Sequence, residues 1–183
     1  MNWTIPGTTL TELRENADHV EDIFHSMFLA GGMVLSQVSS ITGLEAYTIQ
    51  NWVKRGFLAP PRNKRYDMEQ VCRIITINML KGALPLEKIC SLMQYINGDL
   101  TDESDDIIDD AVLYFMFVKL AARARHIGGD KNWDEALEET TASYKEPYPG
   151  ARQRIIKVLR TMLMAWIASR FKQQVDQMVD ELK

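Results

Sequence analysis

Cysteine is scarce in this sequence, and no apolar run is long enough to matter for a membrane. The 183 residues include only Cys72 and Cys90. Two thiols cannot make a disulfide-dense scaffold, and without paired CxxC spacing they do not make a thiolate zinc site. The longest apolar stretch, residues 111–118, is far shorter than the ~20 residues a bilayer span needs. Met1-Asn2-Trp3-Thr4 shows no basic region followed by an apolar core, so no signal peptide is read. A reduced, cytoplasmic protein without a membrane partner is expected. Histidine is also sparse. His19 and His25 are not three or four residues apart, so they do not form a helical metal pair and are read as surface residues. Nucleophile elbow, phosphate loop and HExxH signatures are absent. The chain is therefore expected to hold no catalytic residue, cofactor or metal, and not to be an enzyme.

What is present describes a folded globular protein. Hydrophobic residues make up 46% and charged residues 25%, too apolar for a disordered chain. The formal net charge is −4, but its distribution says more than its sum. Residues 1–35 carry one base and five acids, residues 36–98 eight bases and four acids, and residues 99–183 twelve bases and sixteen acids. A basic middle lies between acidic flanks, and a local positive field attracts phosphate whatever the total.

Helical periodicity dominates, and the expected fold class is all-α. A first helix is expected over 9–28. Thr9-Leu10-Thr11-Glu12 has capping-box form, and Leu10, Leu13, Ala17, Val20, Phe24 and Met27 fall on one stripe. Asn97-Gly98-Asp99 reads as a boundary. The acidic run over 99–110 suits a helix N-terminus, where the dipole favours acids. A helix over 104–126, apolar nearly all round, belongs in a core, and Gly128-Gly129-Asp130 stops it. A shorter helix is expected over 133–143. Glu146-Pro147-Tyr148-Pro149-Gly150 then breaks the chain before one long helix over 151–183. Along that last helix the apolar residues Ile155, Leu159, Met162 and Trp166 are followed five residues later by Phe171, Val175, Met178 and Leu182, an interrupted heptad. A helix of this length exceeds what a small domain needs, so a homodimer through the C-terminal helices is expected. Trp133, Tyr144, Tyr148 and Trp166 suit core packing, with a small-molecule pocket as the alternative. Three regions result: an N-terminal helix (1–33), a central module (34–98) and a helical C-terminal domain (99–183).

The central module carries the functional signal. In Leu35-Ser36-Gln37-Val38-Ser39-Ser40-Ile41-Thr42, Ser36 is placed to cap a short helix with Val38 and Ile41 inward. Thr42-Gly43 turns the chain, Gly43 supplying a left-handed backbone. A second helix runs from Glu45 to about Arg55 with Ile49, Trp52 and Val53 inward, and Gly56 ends it. Its outward face presents Tyr47, Thr48, Gln50, Asn51, Lys54 and Arg55, groups of the kinds that read base edges and phosphates. The loop Leu58-Ala59-Pro60-Pro61-Arg62-Asn63-Lys64-Arg65-Tyr66 adds Arg62, Lys64 and Arg65. Asp67-Met68-Glu69-Gln70 opens another helix in capping-box form, and Pro85 opens a fourth through Leu86, Ile89, Leu92 and Met93. Cys72 and Cys90 fall at inward positions and are read as core.

Residues 35–95 resemble the DNA-binding domain of the MerR family. The resemblance rests on the two-helix motif followed by Gly56-Phe57-Leu58, Pro60 or Pro61, Arg62, the Arg65-Tyr66 pair and Leu86-Glu87-Lys88-Ile89. It implies a winged helix-turn-helix that binds double-stranded DNA and regulates transcription in bacteria. The resemblance implies DNA contacts at Tyr47, Thr48, Gln50, Asn51, Lys54, Arg55, Arg62, Lys64 and Arg65. Three features depart from the family. Gln50 stands where an arginine is usual, only Asn63-Lys64 separates Arg62 from Arg65-Tyr66 so the wing is short, and the C-terminal region is not a single antiparallel coiled coil. The chain as a whole also resembles domain-of-unknown-function family 1836, which joins such a module to a helical C-terminal region. Two other readings stay open: a protein–protein interaction module that uses the fold without DNA, and a helical domain that senses a small molecule.

Overall fold

The computed structural model describes residues 2–98, 100, 105–124 and 133–182. Helices dominate, as expected of an all-α protein, and the strands are only two or three residues long. In chain order the elements are β1 (Asn2–Thr4), β2 (Thr11–Leu13), a 3-10 helix (Arg14–His19), α1 (Val20–Phe28), β3 (Met33–Val34), α2 (Leu35–Thr42), α3 (Ala46–Lys54), β4 (Arg65–Tyr66), α4 (Met68–Leu80), α5 (Leu86–Asn97), α6 (Asp110–Arg123), α7 (Trp133–Thr141) and α8 (Ala151–Asp180). β1 pairs antiparallel with β2, and β3 antiparallel with β4. Buried side chains from Trp3 to Ile167 join a single hydrophobic core that runs through all three sequence regions.

The start of the chain departs from the helix expected over 9–28. Only 20–28 is α-helical, and the stretch before it is a hairpin and a 3-10 helix. The Thr8 hydroxyl donates to the Ile5 carbonyl and accepts from Leu10 N–H, closing a local turn. The Thr9 amide and hydroxyl donate to the carbonyls of Ile41 and Ser40 at the end of α2. Thr9 thus satisfies the C-terminal carbonyls of another helix instead of starting its own. The expected stripe is real from Ala17 onward, since Ala17, Val20 and Phe24 are buried. Leu13 faces solvent on β2.

The centre of the core is α4 packed on α6. Nine residues of α4 are buried, from Val71 to Leu80, and they include Arg73 and Thr76. The expected capping box at its start is present: Asp67 Oδ1 accepts from Gln70 N–H at 2.8 Å, and Gln70 Oε1 accepts from Asp67 N–H at 3.1 Å. The helix expected over 104–126 spans Asp110–Arg123 and is buried along most of its length, as its composition required. Asp109 caps it, its carboxylate accepting from Ala111 and Val112 N–H. The helix-start reading of the acidic run therefore holds at Asp109. Asp110 turns inward instead and pairs with Arg73 at 2.9 Å. Asp99, Ser104, His126 and the Gly128-Gly129-Asp130 stop lie outside the described residues. Cys72 and Cys90 are buried and unpaired, as expected of core thiols.

The long terminal helix is present as α8, 30 residues and about 45 Å at 1.5 Å per residue. Its first two-thirds pack against α4, α5, α6 and α7. From Arg170 onward its described residues are all exposed. The apparent break in the heptad is explained by two separate stripes. Ile155, Leu159, Met162 and Trp166 face the core. Met164, Ala168, Phe171, Val175 and Met178, continued by Leu182 just past the helix end, form an exposed stripe in alternating steps of four and three. At about 100° per residue the two stripes lie on roughly opposite sides of the helix. The N-terminal helix does not cover the outer stripe, because α1 packs on α4 and α6. Among the described residues no helix is long and apolar enough to cross a membrane.

Candidate nucleic-acid interface

β3 leads directly into α2, and α2 touches α3, β3 and β4. The α2–α3 turn is built from hydrogen bonds within the motif. Gly43 sits at φ 68°, the left-handed region that glycine enters without a Cβ penalty. The Thr42 hydroxyl donates to Val38 O at 2.7 Å and accepts from Leu44 N–H, while the Ser39 hydroxyl donates to Leu44 O. Ser36 does not cap α2. The cap position is Val34, whose N–H is satisfied by Gln37 Oε1 at 3.0 Å. A hydroxyl was not needed there because β3 already fixes the entering backbone by pairing with β4.

α3 buries Ile49 and Trp52 and half-buries Val53. Val38 and Ile41 of α2 are buried as well. These facings fix the opposite side. Tyr47, Gln50, Asn51, Lys54 and Arg55 are exposed and Thr48 is half-exposed. Tyr47, at 64% exposed, is a large aromatic left in water on a helix that had an apolar face available.

The loop after α3 closes into a minimal hairpin. Arg62 and Arg65 form an antiparallel bridge, with Arg65 N–H donating to Arg62 O at 2.9 Å. The two residues between them, Asn63 and Lys64, have φ of 50° and 62°. Positive φ at both central positions is the signature of the turn that matches strand twist in two-residue hairpins, where Asn-Gly is the preferred pair. Lys64 therefore occupies a position glycine would hold more easily. β4 continues this strand, and Tyr66 is buried as its anchor. Arg62, Lys64 and Arg65 are all exposed.

The nine residues predicted to contact DNA thus come from two segments, α3 and the 62–65 hairpin, with α2 as their common support. Among the described residues, two of the nine have side-chain partners within the chain. Arg55 pairs with Glu87 at 2.8 Å and lies over the Phe57 ring at 4.6 Å. Arg65 donates to Gly32 O at 2.8 Å. Arg73, the fourth base of the stretch after Arg55, is buried against Asp110 and contributes nothing to the surface. The outward cations of this set with neither an ion pair nor a side-chain hydrogen bond among the described residues are Lys54, Arg62 and Lys64.

Strain at Lys64 gives a direct test of the turn. Lys64→Gly is expected to stabilise the fold by about 0.5–1 kcal/mol, since the left-handed backbone no longer opposes a Cβ. Urea melts of the two proteins check this. An unchanged or lower midpoint for Lys64→Gly would contradict the turn geometry.

The family model described as "Domain of unknown function (DUF1836)" matches residues 18–117, more than half of the chain, and the chain belongs to that family. The matched span runs from the 3-10 helix into α6, so it contains α2, α3 and the hairpin and stops short of α8. The chain is also similar to the uncharacterized protein YkrK of Bacillus subtilis (strain 168), 30% identical over 84 residues, which is 44% of this chain and 36% of that protein. The match thus spans little more than a third of that relative's length. No solved structure matches.

Proposed function

We propose that the chain binds double-stranded DNA as a MerR-like winged helix-turn-helix regulator of transcription. In this reading α3 enters the major groove, which admits a single helix. Tyr47, Thr48, Gln50 and Asn51 meet base edges there, Lys54, Arg62 and Lys64 meet phosphate, and Arg65, held on Gly32 O, backs the hairpin. One observation carries the reading. The outward side of α3 and the tip of the hairpin hold polar and basic groups only, four of them cations besides Arg55, on an otherwise acidic chain. The strained Lys64 supports it, because a costly backbone at an exposed cation points to a role outside the fold. The test is binding of the full chain to duplex fragments from its own upstream region, followed by fluorescence anisotropy. Saturable binding of some fragment over others supports the reading. Recovery of a stable protein partner together with no duplex binding at low salt would replace it with the protein-interaction alternative.

The same reading requires two copies. One short recognition helix contacts few base pairs, and readers of this kind bind paired half-sites. The exposed stripe of α8 offers the contact. Arg170 and Lys172 begin the protruding segment, and Asp176, Asp180 and Glu181 end it. Antiparallel pairing sets the basic start of one helix against the acidic end of the other, while parallel pairing stacks like charges. The seam is short, so dissociation is expected near ~1 μM. Light scattering should report about twice the 21.0 kDa chain mass at high concentration. The triple substitution Phe171→Glu, Val175→Glu and Met178→Glu should return it to the monomer mass, and at concentrations where the wild type is itself monomeric the two should melt alike, since all three side chains are exposed on the single chain. A wild-type chain that stays monomeric at all concentrations would remove the dimer from the account.

A further inference from the structure

A second surface feature lies away from α3 and the hairpin. The N-terminal hairpin, the end of α4 and the middle of α8 enclose a cleft of about 730 Å³. Among the described residues its charged lining is Arg14, Lys81 and Arg170, with no aspartate or glutamate. On a chain of net charge −4, a concave site with three cations and no acid concentrates anions.

Two of the cations lie against aromatic walls. Arg14 lies over the Trp3 ring at 4.9 Å, and Arg170 over the Trp166 ring at 5.0 Å. A guanidinium over an indole face is attracted to it, and its fork of N–H donors matches carboxylate and phosphate oxygens. Partial desolvation lowers the Lys81 ammonium below the ordinary lysine value, and an anion beside it would oppose that shift. Trp3 Nε1 is buried with no acceptor among the described residues, a donor the fold itself leaves unused. Two close approaches shape the cleft. A Cβ at Gly82 would lie 2.1 Å from Ser169 Oγ, and a Cβ at Gly7 2.5 Å from Ile75 O. Only glycine fits at either position without a shift in the walls.

We propose that this cleft binds a small organic anion bearing phosphate or carboxylate groups, held by Arg14, Lys81 and Arg170. The site also adjoins the support of α3. Asn78, which lines the cleft, donates to Gly7 O at 2.9 Å and to Thr42 O at 2.8 Å. The loop over the cleft and the end of α2 therefore share one side chain.

The test needs no DNA and stands apart from the DNA reading. Isothermal titration of the full chain uses three probes: inorganic phosphate, adenosine monophosphate and citrate. At least one organic probe is expected to bind saturably with one site per chain. A preference for the nucleotide assigns phosphate as the recognised group, and a preference for citrate assigns carboxylate. Arg170→Ala and Lys81→Ala should each weaken binding at least tenfold, and Arg170→Lys should weaken it too, because an ammonium cannot bind in a bidentate fork. Both positions are exposed, so melting curves should not move. Lys157→Ala, exposed on the same helix and outside the cleft, should bind as the wild type does. The proposal is overturned if neither organic probe saturates, or if Lys157→Ala weakens binding as much as Arg170→Ala.

Discussion

Asp110→Ala is expected to lose about 3–5 kcal/mol of stability, because it strands the Arg73 charge inside the core. The Arg73 and Asp110 side chains are only 9% and 11% exposed and lie 2.9 Å apart. Arg73 also donates to Phe57 O, and Asp110 also accepts from Asn97. Burial raises the Asp110 carboxyl above its ordinary value, with Arg73 pulling it back down. The sign of the pH effect follows. A carboxyl whose value is raised on folding contributes stability that is present below its unfolded value and lost as pH rises through its folded value. Asp110 is therefore not a group that drives acid unfolding. Replacing both partners with apolar residues, Arg73→Met with Asp110→Leu, should restore stability to the wild-type level or above it by about 1–4 kcal/mol. Urea melts of the single and double variants separate these outcomes. A single variant as stable as the wild type would show that the pair is not buried as described.

This pair marks the limit of what the sequence revealed. α4 reads as apolar from Val71, Ile74, Ile75 and Ile77, but its arginine counts there as one more surface base. Nothing local signals that Arg73 turns toward an aspartate 37 residues away. The N-terminus failed for a similar reason. Thr9 and Glu12 have capping-box spacing, but Thr9 is claimed by the end of α2, a contact 32 residues distant. The two-helix motif was legible because its determinants are local: Gly43 for the left-handed turn, Ile49 and Trp52 for the inward face, Gly56 for the stop. The exposed stripe of α8 was half legible. Its residues were visible, but merging them with the inward stripe produced a false break in the heptad. The cleft was not legible, since Trp3, Arg14, Lys81 and Arg170 come from separate segments with no spacing between them that a sequence pattern could carry. Trp166 reads as a core aromatic with pocket lining as the alternative. It is buried in the core, with Trp133 and Tyr144 packed against that core, and of the four aromatics it alone lines the cleft.

The DNA reading has the largest numerical consequence. Each phosphate neutralised by a protein cation releases counterions, and the logarithm of affinity falls with the logarithm of salt at about 0.9 per contact. Lys54, Arg62 and Lys64 make no ion pair among the described residues, and they give three contacts per protomer and six per dimer. Affinity should then drop by roughly 10³-fold between about 50 and 200 mM salt. Lys54→Ala, Arg62→Ala and Lys64→Ala together should flatten that dependence with little loss of stability, since the three side chains are exposed.

The most direct measurement is therefore the anisotropy of labelled upstream duplex titrated with full chain at several salt concentrations. The account predicts tight, fragment-selective binding at low salt that weakens with a log–log slope near −5 and loses that slope in the triple variant. Absence of binding at about 50 mM salt, or binding by the triple variant with the wild-type slope, would contradict it.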